Sequence, residues 1–155
     1  MKNKKVWLIM LAVFVLVVGG YYFYNKITTT APTWSDVSYS NISESNKLDI
    51  YLPTSGTSPF PLVVWIHGGA FKMGDKSGVQ SLDRLLKEGY AVASVDYRLS
   101  SEAIWPAQLA DMENIVKFLK SNANQYKIDA NRIASWGASA GGFLSSIMGT
   151  ALADK

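Results

Sequence analysis

Arg132 to Gly142 reads RIASWGASAGG. Its first half, Arg132–Trp136, is a short apolar run with its one charge at the start, which is the pattern of a buried strand. Gly137-Ala138-Ser139-Ala140-Gly141 then fits G-x-S-x-G, and a helical pattern from about Ala140 to Ala153 follows. Strand, tight turn, helix is the context in which this motif carries chemistry. The glycines are needed because the turn leaves no room for side chains on either side of the serine. The turn lifts the Ser139 hydroxyl above the strand end. It also sets the hydroxyl by the N-terminus of the following helix, where free N–H groups favour negative charge. Gly142 extends the run and lets the helix approach the sheet. Alone, the motif fits an ordinary serine in a tight strand–helix turn equally well.

Working outward, two more apolar runs end in turns. Leu62–Ile66 (LVVWI) and Ala91–Val95 (AVASV) carry no charge and read as buried strands. Leu82, Leu85 and Leu86 recur at helical spacing before Gly89, a helix stop. Leu109, Met112, Ile115, Val116 and Leu119 mark a helix from about Ala107 to Asn122. Strands that alternate with helices imply an α/β fold with a mostly parallel sheet covered on both faces. Upstream, Val37–Ile42 and Lys47–Leu52 flank Ser43-Glu44-Ser45-Asn46 and predict an antiparallel hairpin. Pro53 to Pro61 reads as a loop. His67-Gly68-Gly69-Ala70-Phe71 follows the first buried strand, where a glycine pair can turn backbone N–H groups toward one point, as an oxyanion hole needs. Read alone, it is a glycine turn beside a packed histidine.

Taken together these motifs resemble the α/β-hydrolase fold, and within it the serine esterases of the hormone-sensitive-lipase and bifunctional-deacetylase/feruloyl-esterase type. The resemblance rests on His67-Gly68-Gly69-Ala70-Phe71, Asp96-Tyr97-Arg98-Leu99, Trp105-Pro106-Ala107 with Asp111, and Trp136 to Gly142. It covers about Val37 to Lys155. It implies that Ser139 is the catalytic nucleophile of a carboxylic-ester hydrolase working through an acyl-enzyme. It implies oxyanion donors at the backbone N–H groups of Gly69, Ala70 and Ala140, with Gly68 shaping the loop. Many relatives have a third glycine where this chain has Ala70, a change that a backbone donor tolerates. The resemblance also makes His67 part of the oxyanion loop, and gives Asp96, Arg98 and Asp111 structural roles.

In such a fold the catalytic triad runs Ser, then Asp or Glu, then His. Only 16 residues follow Ser139; they hold one carboxylate, Asp154, and no histidine. Asp154 is expected roughly 22 Å along the helix axis from the serine, too far to orient a base. A serine without a base is a weak nucleophile, and losing a triad member costs orders of magnitude in rate. The expectation is an N-terminal portion of an esterase, truncated after the serine turn and incomplete as this chain, with a complementing C-terminal half as a partner. The alternative is a non-catalytic remnant or binding module on an esterase scaffold. A third reading, with His67 as an unusual base, is opposed by its neighbours in the oxyanion loop.

Composition bounds the rest. The chain has 155 residues, one histidine and no cysteine. That excludes a disulfide framework, thiolate sites and any metal site built from several imidazoles. No metal or organic cofactor is implied. Val6–Phe23 is an uncharged run of 18 residues, long enough for about 27 Å of helix, with Trp7 at one end and Tyr21, Tyr22 and Tyr24 at the other. Residues 1–26 are expected to be a membrane anchor, with one transmembrane helix over about 6–24. Residues 27–36 are expected to be a linker and 37–155 the hydrolase portion. Lys2, Lys4 and Lys5 put the N-terminus inside and the rest outside: a single-pass cell-membrane protein, extracytoplasmic beyond the anchor. Secretion after signal cleavage is the alternative, opposed by the bulky residues that follow the run. Four of the fifteen basic residues flank the leader, so eleven face all twelve acidic residues in the remainder. No clustered basic face is left for nucleic acid. The expected partner is a small-molecule ester whose acyl and alcohol parts the sequence does not specify.

Overall fold

The computed structural model describes residues 30–151, and the elements below all belong to the unit Pro32–Lys155. In chain order they are β1 (Trp34–Ser38), β2 (Lys47–Tyr51), β3 (Phe60–Ile66), α1 (Leu82–Lys87), β4 (Ala91–Val95), α2 (Ala107–Ser121), β5 (Ile128–Gly137) and α3 (Ala140–Ala151). The five strands form one sheet in the order β1-β2-β4-β3-β5. β3 pairs in parallel with β4 and with β5. The hairpin β1–β2 is antiparallel, and β2 joins the sheet antiparallel to β4. The expected mostly parallel sheet is therefore evenly mixed among the described residues, because the hairpin adds two antiparallel pairings.

Successive side chains on a strand point to opposite faces, so a strand covered on both sides must be apolar throughout. β3 and β4 meet that condition. Leu62, Val64 and Ile66 of β3, with Ala91, Ala93 and Val95 of β4, face Met112, Ile115 and Leu119 of α2 and Leu144 of α3. On the other face Trp65 and Val92 join Tyr51 of β2 and Leu86 of α1. Helices thus cover both faces, as the alternation of elements predicts.

The polar links expected at Asp96, Arg98 and Asp111 are present. Arg98 donates through Nε and Nη2 to the fully buried Asp111 at 2.7–3.0 Å, and through Nη2 to Ala107 O at 3.1 Å. Gln108 Nε2 donates to Arg98 O and to Ala103 O, both at 2.8 Å. The segment after β4 is thereby tied to the first turns of α2. A buried charge needs such a partner, because unpaired it would carry its full desolvation cost.

The expected fold class is corrected in its membrane part. No helix among the described residues is long and apolar enough to cross a membrane. The longest, α2, has 15 residues, about 22 Å against a hydrocarbon core of about 30 Å, and it carries Asp111, Glu113, Lys117 and Lys120. The run over about 6–24 expected to form the anchor lies outside the described residues. β1 begins at Trp34, inside the stretch expected to be linker.

Ile115 is fully buried between α2 and the sheet. Ile115→Ala should lower stability by about 2–5 kcal/mol through lost transfer energy and the cavity left behind. Urea denaturation followed by circular dichroism measures this, and a change below about 1 kcal/mol would contradict the core described.

Candidate active site

The register of β3 on β5 sets the site. Ile66 lies opposite Gly137 as parallel neighbours. Both strands end at the same level, so the loop His67–Phe71 and the turn Gly137–Ser139 leave the sheet side by side. A Cβ on Gly68 would sit 2.8 Å from Ala138 O and 3.5 Å from the Ser139 Cβ. The two motifs that the sequence singles out are therefore in contact.

The turn holds Ser139 in the left-handed region at φ +52°, and the serine is exposed. A non-glycine residue there is strained, typically by about 1–3 kcal/mol, and such outliers gather at functional sites. The neighbouring glycines are required by close approach. A Cβ on Gly141 would lie 2.0 Å from Ile66 O, and one on Gly137 would lie 2.4 Å from Gly141 C. Gly141 N donates to Ala138 O at 2.9 Å, and Phe143 N to Ser139 O at 3.0 Å. Ala140, buried, is the first residue of α3. The first N–H groups of a helix lack partners inside it, so this end offers donors to an anion.

The facing loop is shaped for the same task. Gly69 O accepts from Lys72 N at 2.9 Å and Met73 N at 3.1 Å. In a trans peptide the N–H opposes the C=O, so the Ala70 N–H points out of that small turn. Ala70 and Phe71 are both left-handed, at φ +55° and +61°. This bent backbone is fastened from behind. Tyr97 Oη donates to His67 O at 3.1 Å, and Ser100 donates to Phe71 O from N at 2.7 Å and from Oγ at 3.0 Å. Burial pushes the Tyr97 hydroxyl up to about 12, so it stays a donor at neutral pH.

His67 is buried and stacked on Tyr97, with ring centroids 4.4 Å apart. Its Nδ1 lies 2.7 Å from Gly68 O, a contact that requires the proton on Nδ1. Its neighbours thus give it a place in the loop. The far end of the loop is tied down at Lys76. Its N–H donates to Asp96 Oδ1 at 2.7 Å, and its carbonyl accepts from Ser94 Oγ at 2.6 Å. Its Nζ reaches Asp36 at 2.8 Å and Asp49 at 3.2 Å. Burial works against the Lys76 charge, but the hydrogen bonds it donates to Asp36 and Asp49 outweigh it and raise its pKa. Burial raises the Asp96 carboxyl, against the bond from the Lys76 N–H.

The predicted positions Gly68, Gly69, Ala70, Ser139 and Ala140 thus come together at one end of the sheet. The sequence reading missed Lys76 and Ser100, which hold the loop through backbone and side-chain atoms together but form no recognisable motif. It gave no site role to Phe143, half-exposed one turn after the serine, and used Trp105, whose ring meets Phe143, only as part of a family motif.

A family model described as BD-FAE matches residues 48–155. Among curated proteins the chain is similar to the esterase LipC of Mycobacterium tuberculosis, 34% identical over 95 residues, which are 60% of this chain and 24% of that protein. It is also similar to the probable carboxylic ester hydrolase LipM of the same organism, 33% identical over 118 residues, 72% of this chain and 27% of that one. Among solved structures it is similar to the truncated form of a carbohydrate esterase from gut microbiota. The TM-score is 0.71 and the identity 40%, over 75% of this chain and 42% of that one. The chain spans about a quarter of the length of these curated relatives.

Two outcomes follow from the geometry. Gly141→Ala should cost about 3 kcal/mol or more, since backbone rather than a flexible side chain stands in the way; a denaturation midpoint like that of the parent chain would refute the close approach. The raised Asp96 carboxyl binds its proton more tightly folded than unfolded. Its stabilising effect is complete below about pH 4 and is lost as pH rises through the folded-state value. The stability of the parent chain relative to Asp96→Asn should therefore fall as pH increases from 4, in thermal melts at several pH values.

Proposed function

The chain belongs to the BD-FAE family, and from that membership we propose that it carries the nucleophile and oxyanion portion of a serine carboxylic-ester hydrolase. Ser139 Oγ attacks the ester carbonyl carbon, and the backbone N–H groups of Gly69, Ala70 and Ala140 receive the negative oxygen that forms. Collapse of this intermediate releases the alcohol and leaves the acyl group on Ser139. Water then attacks the acyl-enzyme and frees the acid. The observation that carries the reading is the exposed, left-handed Ser139 with the Gly68 loop against it. Strain at the serine and backbone N–H groups held close to it are features that acyl transfer uses. The esterase names of the curated relatives support the same reaction class.

The Ser139 proton needs an acceptor. His67 is the one histidine in the sequence, and its Nδ1–H and ring face are engaged in the loop. We assign the base and the carboxylate that orients it to residues outside these 155, brought by a complementing portion of the fold. The small-molecule ester is the proposed substrate.

A serine-directed fluorophosphonate should label the chain at Ser139, slowly for want of the base, and Ser139→Ala should abolish the labelling. Peptide mapping by mass spectrometry reads the site. No labelling over hours, or labelling that persists in Ser139→Ala, sinks the proposal.

A further inference from the structure

Asp49 of β2 lies opposite Ser94 of β4, and Tyr51 opposite Val92, so these four side chains share one face of the sheet. Tyr51 and Val92 pack there with Trp65 and Leu86. Asp49 and Ser94 are buried on the same face, two polar groups at the end of an apolar one. Buried polar groups need partners. Lys76 supplies one to each: its Nζ meets Asp49 Oδ1 at 3.2 Å, and its carbonyl accepts from Ser94 Oγ at 2.6 Å.

β1 is bent toward the same ammonium. Its register on β2 breaks between Trp34 and Val37, and within the break Asp36 is left-handed at φ +53°. The bulge lets the Asp36 N–H donate to Asp49 Oδ1 at 2.8 Å while the Asp36 carboxylate takes Lys76 Nζ, also at 2.8 Å. Asp36 stands upstream of the residues that the family model matches. An ion pair with an exposed carboxylate is worth little by itself. The Lys76 and Asp49 side chains are only 16% and 10% exposed, and removing either charge would leave the other poorly solvated. The lysine is therefore fixed mainly by Asp49, with Asp36 closing the triad.

This fixed point reaches the oxyanion loop through Gly74, two residues before Lys76. A Cβ on Gly74 would lie 2.5 Å from His67 Nδ1 and 2.6 Å from Gly68 O. The preceding residue, Met73, donates from N to Gly69 O at 3.1 Å. Met73 and Gly74 thus back the peptide units of His67 to Gly69 without slack, and Gly68 in turn stands against the serine turn.

We propose that Lys76 is a positioning residue for the oxyanion loop, clamped by Asp49 and Asp36 of the β1–β2 hairpin so that Gly69 and Ala70 keep their place beside Ser139. The hairpin is then part of the machinery of the site and not only an edge of the sheet. This rests on the reading of Ser139 as the reacting centre, but the clamp itself is measurable without any reaction.

The test uses the full chain and two readouts. The Lys72 and Met73 amides, both bonded to Gly69 O, report on the loop by hydrogen–deuterium exchange. Their exchange should rise about fivefold or more in Lys76→Met, which keeps the length and removes the charge, and return toward the parent rate in Lys76→Arg. Ile115→Ala weakens the core elsewhere and should leave it unchanged. Fluorophosphonate labelling of folded chain should slow about tenfold in Lys76→Met and not in Ile115→Ala, because misplaced groups lose rate steeply. Circular dichroism establishes that each variant is folded. If Lys76→Met is not, Asp36→Asn takes its place, with a smaller change expected in the same direction. Parent-like exchange in the lysine variant, an equal rise in Ile115→Ala, or failure of Lys76→Arg to restore the rate overturns the clamp. Faster exchange with labelling at the parent rate overturns it as well, since Lys76 would then be structural only. If the parent chain takes no label, the reading of Ser139 falls and exchange alone decides the clamp. Parent labelling with unaltered exchange does the reverse.

Discussion

Everything at the site depends on one steric constraint: the turn after β5 crosses the end of β3 with no room between backbones. Gly141 stands so near Ile66 O that a methyl group would lie 2.0 Å from it. Parallel pairing of Ile66 with Gly137 fixes the height at which the two chains leave the sheet. Once both conditions hold, the loop from His67 can only run alongside Ser139. Neither motif needs a long-range contact of its own to find the other; the sheet register delivers both. A slip of one residue would turn the apolar set of β5 to the wrong face and separate the loops together.

Proximity alone leaves a loop free to relax, and this one has reason to. Ala70, Phe71 and Ser139 each sit where L-residues are strained. The strain persists because the surroundings over-determine it. Tyr97 and Ser100 hold the carbonyls of His67 and Phe71, and Lys76 is held through N, O and Nζ at once. Tyr97, Asp96 and Ser100 belong to β4 or to the residues just after it. Those residues are themselves fixed to α2 by Arg98, Asp111 and Gln108. The stiffness of a five-residue loop is thus drawn from the middle of the fold.

The sequence made some of this legible. Ala91–Val95 and the start of α2 at Ala107 fall where the apolar pattern and the flanking turns put them, because a strand buried on both faces and an amphipathic helix have distinct periods. The strand ends were harder. β5 begins at Ile128, four residues before its apolar run, since Asp129, Ala130 and Asn131 read as a turn and fall in the irregularity between the Phe60–Ile128 and Leu62–Ile133 pairings. β3 takes in Phe60 and Pro61, which the proline made part of a loop. β1 lies upstream of its expected position because Tyr39, counted in the strand, instead buries its ring and donates from Oη to Asp96 O. The serine and its oxyanion loop were legible because glycine spacing records a close approach. Lys76 and Ser100 were not, since half of their bonds are made by backbone atoms and the partners of their side chains lie far off in the sequence.

Acyl transfer through a serine makes two separate physical demands. Stabilising an oxyanion asks only for fixed N–H groups, which a bent loop and a helix end supply without any particular side chain. Moving a proton asks for a titratable group of suitable pKa, free to change state within reach of the nucleophile. His67 meets the first demand by helping to brace the loop, and in doing so gives up the second. Its Nδ1–H is spent on Gly68 O and its ring lies flat on Tyr97. In the proposed reaction the electrostatic part of transition-state stabilisation is therefore separable from the proton-transfer part. An oxyanion hole and binding without a triad give roughly 10³–10⁴-fold acceleration over water, and proton transfer supplies the rest.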